Sequence, residues 1–141
     1  MIEDMSDFHY YVGRTIMNCQ AIEHDIKLIY AGMKAGDMDD NLAMIAKKKM
    51  TLGTVVGNLK ALDRSDDKWF FSDGDYELLK KITDIRNHWA HKAYCEFIYS
   101  NNNVDFVRQA RRLENDHNRL EKLSKTIEEV RLKVLRKYGR I

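Results

Sequence analysis

Apolar residues step by three and four from Phe8 through Val12, Ile16, Cys19, Ile22, Ile26 and Tyr30 to Met33. That spacing keeps one side of a helix apolar for about seven turns. Phe106, Leu113, Leu120, Ile127 and Val134 recur every seven residues, with Leu123 and Val130 beside them, which marks the seam of a second long helix. Two such stripes must both be buried, and in a chain of 141 residues they leave room for little besides other helices. Proline, which costs a helix interior about 3 kcal/mol, is absent from the sequence. No strand-type alternation of convincing length interrupts the pattern. The expected fold is all-α, an antiparallel helical bundle of four to five helices with a long C-terminal helix, in a single domain spanning 1–141.

The shorter elements are read from their punctuation. Asp4 or Ser6 can cap the first helix and Gly36 can end it. The polar stretch 37–49 has room for a brief helix around Leu42, Met44 and Ile45. Thr51 is placed as the N-cap of a helix carrying Leu52, Val55, Val56, Leu59 and Leu62. Gly53 and Gly57, four apart, are expected to let another helix approach closely. Residues 63–75 read as a loop pinned by Trp69, Phe70 and Phe71. A fourth helix is expected from about 75 to 99, then a turn at Asn101, Asn102 and Asn103, then the final helix over 104–137.

Charge and cysteine usage narrow the class. Cys19 and Cys95 lie far apart without metal-type spacing, as expected of reduced thiols in a cytoplasmic protein. No uncharged run approaches the roughly 20 residues needed to span a bilayer, so no membrane association is expected. The formal net charge of +2 hides an asymmetry. Residues 1–45 carry eight acids against three bases, whereas 108–141 carry five acids against eleven bases. A basic end suits an anionic partner; it equally suits a solvated helix whose C-terminus favours cations.

Phosphate-loop, dinucleotide-fold, zincin and nucleophile-elbow motifs are all missing. His88 and His91, three apart, lack a further ligand at metal spacing, and no metal or cofactor is expected. The informative segment is Asp84-Ile85-Arg86-Asn87-His88-Trp89-Ala90-His91. Asn87 and His91 share a helix stripe, so the amide can orient the imidazole. Arg86 lies about 140° around the helix from His91. The two converge more readily across a two-fold axis, where this helix meets its copy. An imidazole that exchanges protons, with a guanidinium that binds phosphate, suffices for metal-free RNA cleavage. A structural pairing of Arg86 with a carboxylate is the other reading of the same residues.

Arg86-Asn87-x-x-x-His91 resembles the R-N-x3-H form of the RX4-6H motif of HEPN domains. The segments Gln20–Ile29 and Thr51–Lys60 are similar to helices of that family, and the likeness runs from about residue 8 to 135. The resemblance implies a homodimeric, metal-independent endoribonuclease acting on single-stranded RNA, of the kind used as toxins or in phage defence. It implies that Arg86 binds phosphate, that His91 is the acid or base, and that Asn87 orients the site. Glu23, on the apolar stripe of the first helix, is a further catalytic candidate; it also suits a salt bridge that only positions helices. An antitoxin is a possible partner. One subgroup, paired with nucleotidyltransferases, carries a tyrosine two residues after the histidine; here that position is Ala93 and the tyrosine is Tyr94. Arg108, Arg111, Arg112 and Lys92 are candidates to lead RNA to the cleft, with Arg119, Lys122 and the Lys47–Lys49 run as further basic groups. The alternative function is a non-catalytic HEPN-like binding module for a partner protein or nucleotide. A coiled-coil scaffold over 104–137 is a third.

Overall fold

The computed structural model describes residues 1–100 and 102–141. It is an all-α helical bundle with helices α1 (Met5–Met33), α2 (Met38–Lys47), α3 (Leu52–Arg64), α4 (Asp73–Leu79), α5 (Ile82–His91) and α6 (Asn103–Lys137). No strand occurs among the described residues. Asn101, the start of the expected asparagine turn, lies outside them. No helix among the described residues is long and apolar enough to cross a membrane. The chain forms two compact units, one of residues 1–20 with 82–123, the other of residues 21–81 with 124–141.

In the first unit the apolar stripe of α1 meets an aromatic cluster. Phe8 is fully buried, with Trp89 and Phe97 edge-on to it at ring-centroid distances of 6.3 and 5.1 Å. Such edge-to-face pairs add to the burial of apolar area. The stretch from Trp89 to Phe97 runs opposite to α6, because Trp89 Nε1 donates to Asp116 at 2.9 Å while Phe97 packs on Phe106. Helix α1 runs in the same sense as α6: the Tyr11 ring meets His117, and Arg14 pairs with Glu121.

In the second unit Arg131 on α6 pairs with Asp25 on α1 at 2.9 Å. The close approach of helices occurs at Gly32, which is buried; a Cβ there would meet Leu135 Cδ2 at 3.2 Å and Val134 Cγ1 at 3.6 Å. The end of α1 is capped from the far end of the chain. Arg140 donates to the carbonyls of Gly32, Lys34 and Gly36 at 3.1, 2.9 and 2.8 Å. Asn41, buried, donates to Ala31 O at 3.0 Å. These bonds occupy carbonyls that a helix end otherwise leaves orphaned. Gly36, with φ of +98°, makes the turn that follows.

Gly53 and Gly57 do not serve the close packing expected of them. Both are exposed, and a Cβ at Gly57 would meet nothing within 4 Å. Gly57→Ala is therefore expected to stabilise the protein by about 0.5–1 kcal/mol, seen as a higher urea midpoint. Gly32→Ala should gain nothing of the kind, because Leu135 stands in the way.

Thr51 caps α3 as expected, accepting from Thr54 N at 3.2 Å. The expected fourth helix is two helices. Ser72 and Asp75 close a capping box at the start of α4, which buries Tyr76 and Leu79 in the second unit. After exposed Lys80 and Lys81, α5 buries Ile82 and Trp89 in the first unit. Helix α5 then stops at His91, and residues 92–99 continue as turns.

Candidate active site

The motif segment occupies α5. Its apolar positions anchor the helix: Trp89 is buried against Phe8, and its indole N–H donates to the buried carboxylate of Asp116. That bond spares a buried indole an unmet donor. With Ile82 and Trp89 held inward, Asn87 and His91 are exposed on the outer side. They line one shallow concavity of about 360 Å³ together with Asp84, His88 and Lys92.

The side chains that line the concavity leave it close to neutral in its fixed charges, with Asp84 opposed by Lys92. Asn87 and His91 sit one turn apart, as their spacing requires, but among the described residues no hydrogen bond between them is formed. The His91 imidazole is exposed at the last position of α5, open to a ligand and to proton exchange with solvent.

His88 differs. Its Nε2 is buried without a hydrogen bond, and the ring stands edge-on to Trp89 at a centroid distance of 4.6 Å. Burial first, and the nearby Arg112 guanidinium second, push its pKa below the ordinary histidine value. A histidine that stays neutral in the fold while it gains a proton in the unfolded chain costs stability in acid. The penalty is absent above the unfolded pKa and grows as pH falls from about 6.5. Stability is therefore expected to decline on acidification through that window, and less steeply in His88→Gln, when urea midpoints are compared from pH 7.5 to 5.

Arg86 is on the same helix, half-buried, and does not line the concavity that holds His91. An uninterrupted α-helix between them keeps the two side chains about 140° apart. Glu23 is half-buried on α1 and belongs to the other compact unit. Of the basic candidates, Lys92 is at the concavity and Arg112 is exposed with its guanidinium carbon 5.8 Å from the Trp89 ring centroid. Arg111 is exposed, Arg108 pairs with Asp105 at 3.4 Å, and Arg119 lies 3.9 Å from Asp116. Among the described residues, no group of three or more His, Cys, Asp or Glu side chains could hold a metal ion.

Comparison of the chain with family models, with curated proteins and with solved structures gives no match. The chemistry of the site therefore rests on its own residues. Sequence reasoning weighed His88 beside His91 only as a metal ligand, and passed over Gln109 and Glu96, which lie behind it. Gln109 is 2% exposed and donates its side-chain amide to Glu96. A glutamine in a heptad-patterned helix carries no signal of burial.

Proposed function

We propose that this protein is a metal-independent endoribonuclease acting on single-stranded RNA. The observation that carries the reading is the concavity at the end of α5, where exposed His91 stands with Asn87, His88 and Lys92. An imidazole there can exchange a proton with a ribose hydroxyl or a leaving oxygen, and Lys92 can pair with a phosphate. Arg112 and Arg111 supply further cations along the start of α6. The guanidinium that stabilises charge developing on phosphorus is assigned to Arg86. Because Arg86 is absent from the concavity of its own chain, its partner histidine is assigned to a second copy in a homodimer. The likeness of Arg86-Asn87-x-x-x-His91 to the HEPN motif favours the same arrangement, and with it a role as a toxin or in phage defence, restrained by an antitoxin.

The absence of Arg86 from the concavity also favours one other reading, a helical binding module that recognises an anionic ligand through His91 and Lys92 without cleaving it. RNA cleavage in EDTA separates the two. Purified protein is expected to cut single-stranded RNA and leave 2′,3′-cyclic phosphate ends. Arg86→Ala and His91→Ala should each reduce cleavage by at least about 100-fold with the helical circular dichroism unchanged. Cleavage that requires a divalent metal, or that persists in His91→Ala, would overturn the mechanism. Tight RNA binding without any cleavage would establish the binding module instead.

A further inference from the structure

The acids and bases of α6 are sorted by burial. Between Asn103 and Leu123 its five cations, Arg108, Arg111, Arg112, Arg119 and Lys122, are all exposed. None of its four acids is: Asp116 is buried, and Asp105, Glu114 and Glu121 are half-buried. Each acid is engaged by a neighbour in the first unit. Asp105 accepts from the Ser100 hydroxyl at 2.8 Å, Glu114 from the backbone N–H of Ile2, Asp116 from the Trp89 indole at 2.9 Å and Glu121 from Arg14. From 124 to 137 the same helix is unsorted, with exposed Glu128 and Glu129 among Lys125, Lys133 and Arg136. Mixed signs are what a merely solvated helix face shows. The exposed charges of the first-unit half have one sign only.

Those cations are also aligned. At 3.6 residues per turn, Arg108, Arg112, Asn115, Arg119 and Lys122 fall within about 80° of arc, in one stripe about 21 Å long. Arg111 flanks it. Arg108 and Arg112 are four apart, and Arg119 and Lys122 three apart, spacings at which like charges destabilise a helix. An anion laid along the stripe turns that repulsion into attraction. Arg108 reaches Asp105 at 3.4 Å and Arg119 reaches Asp116 at 3.9 Å. A guanidinium has five N–H donors, so each keeps donors for a further acceptor. The stripe is tied to the candidate site through Trp89. The Arg112 guanidinium carbon is 5.8 Å from the centroid of that ring, and the ring of His88, which lines the concavity, is 4.6 Å from it.

Resting on the ribonuclease reading, we propose that this stripe is a backbone track that binds the phosphates of a single RNA strand beside the concavity. A stacked strand carries a phosphate about every 3.4 Å, so 21 Å of helix serves about six nucleotides. Every exposed side chain from Arg108 to Lys122 is a cation or an asparagine. A protein partner is met by an apolar or aromatic centre, which the stripe lacks; a phosphate backbone is met by cations and amides. Contacts of that kind position a strand without reading its bases, so the track accepts RNA of any sequence.

The test measures binding to the full-length protein of a fluorescent 2′-O-methyl oligouridine of about twelve nucleotides, which has no free 2′-hydroxyl to attack phosphorus. With four phosphates neutralised, log Kd should rise with log salt with a slope of about 3. The double variant R112Q/R119Q should lower that slope by about 1.4, equally for oligoadenosine. K133Q/R136Q, the same change of charge on the unsorted half, should leave the slope unchanged. In cleavage of long RNA, R112Q/R119Q should raise KM and leave kcat as it was. Equal slopes in the two double variants overturn the track, as does poly-glutamate that competes as well as RNA of equal charge, which points to an acidic protein instead. Both results leave cleavage by the wild type intact, so the ribonuclease reading survives them. Wild-type protein that binds the probe with the expected slope and cuts no RNA overturns that reading and supports the track alone.

Discussion

Asp63→Ala is expected to destabilise the protein by about 3–5 kcal/mol, a large part of the 5–15 kcal/mol typical of a folded domain. Asp63 has no exposed surface. Its carboxylate accepts from Phe70 N at 2.8 Å, Phe71 N at 3.2 Å and the Tyr76 hydroxyl at 2.7 Å. One side chain at the end of α3 thereby fixes the whole turn into α4. Alanine would leave the Phe71 amide and the Tyr76 hydroxyl buried without an acceptor, each costing about 1–3 kcal/mol. Burial first, and Asp63 second, hold the Tyr76 phenol far above its ordinary pKa, so it remains a donor at any pH the fold survives. Arg64, which also donates to Asp63 at 3.4 Å, would keep Phe71 O at 2.9 Å and Asp73 at 2.7 Å, so its own loss is small. Tyr76→Phe removes one of the four bonds and leaves the two backbone donors satisfied, and should cost about 1 kcal/mol. Urea denaturation of the two variants gives the comparison. An Asp63→Ala protein within 1 kcal/mol of wild type would mean that the turn holds without its carboxylate.

Asp63 also marks the limit of what its sequence neighbourhood reveals. Among Ser65, Asp66, Asp67, Asp73 and Gly74 it reads as one more loop acid, because a buried and an exposed aspartate look alike until their donors are known. Two of its donors are backbone amides seven and eight residues on, which no side-chain pattern records. The long stripes were legible for the opposite reason. Phe8, Leu113, Leu120 and Ile127 are buried where period alone puts them, since a continuous helix has one way to hide such a face. The expected helix over 75–99 is interrupted at Lys80 and Lys81, where no proline or glycine signals a break. Gly53 and Gly57 misled because spacing says that a helix can be approached, not that anything approaches it. Helical geometry puts Asn87 and His91 on one stripe, and both line the concavity, while Arg86, about 140° around the helix from His91, does not. His88 was weighed there only as a metal ligand beside His91, and its packing on Trp89 is a tertiary contact that the motif does not record.

The separation of Arg86 from His91 yields the second large effect, a rescue by mixing. Arg86→Ala and His91→Ala proteins should each be inactive alone, down at least about 100-fold. In the proposed homodimer each site takes Arg86 from one chain and His91 from the other. After subunit exchange, about half of the dimers hold one chain of each variant by random pairing. In such a dimer one site lacks both groups and the other has both intact. The mixture should therefore recover about a quarter of wild-type cleavage. Were both groups drawn from a single chain, every site in every dimer would lack one of them, and mixing would restore nothing. Absence of rescue in the mixture would place Arg86 and His91 of one site on a single chain.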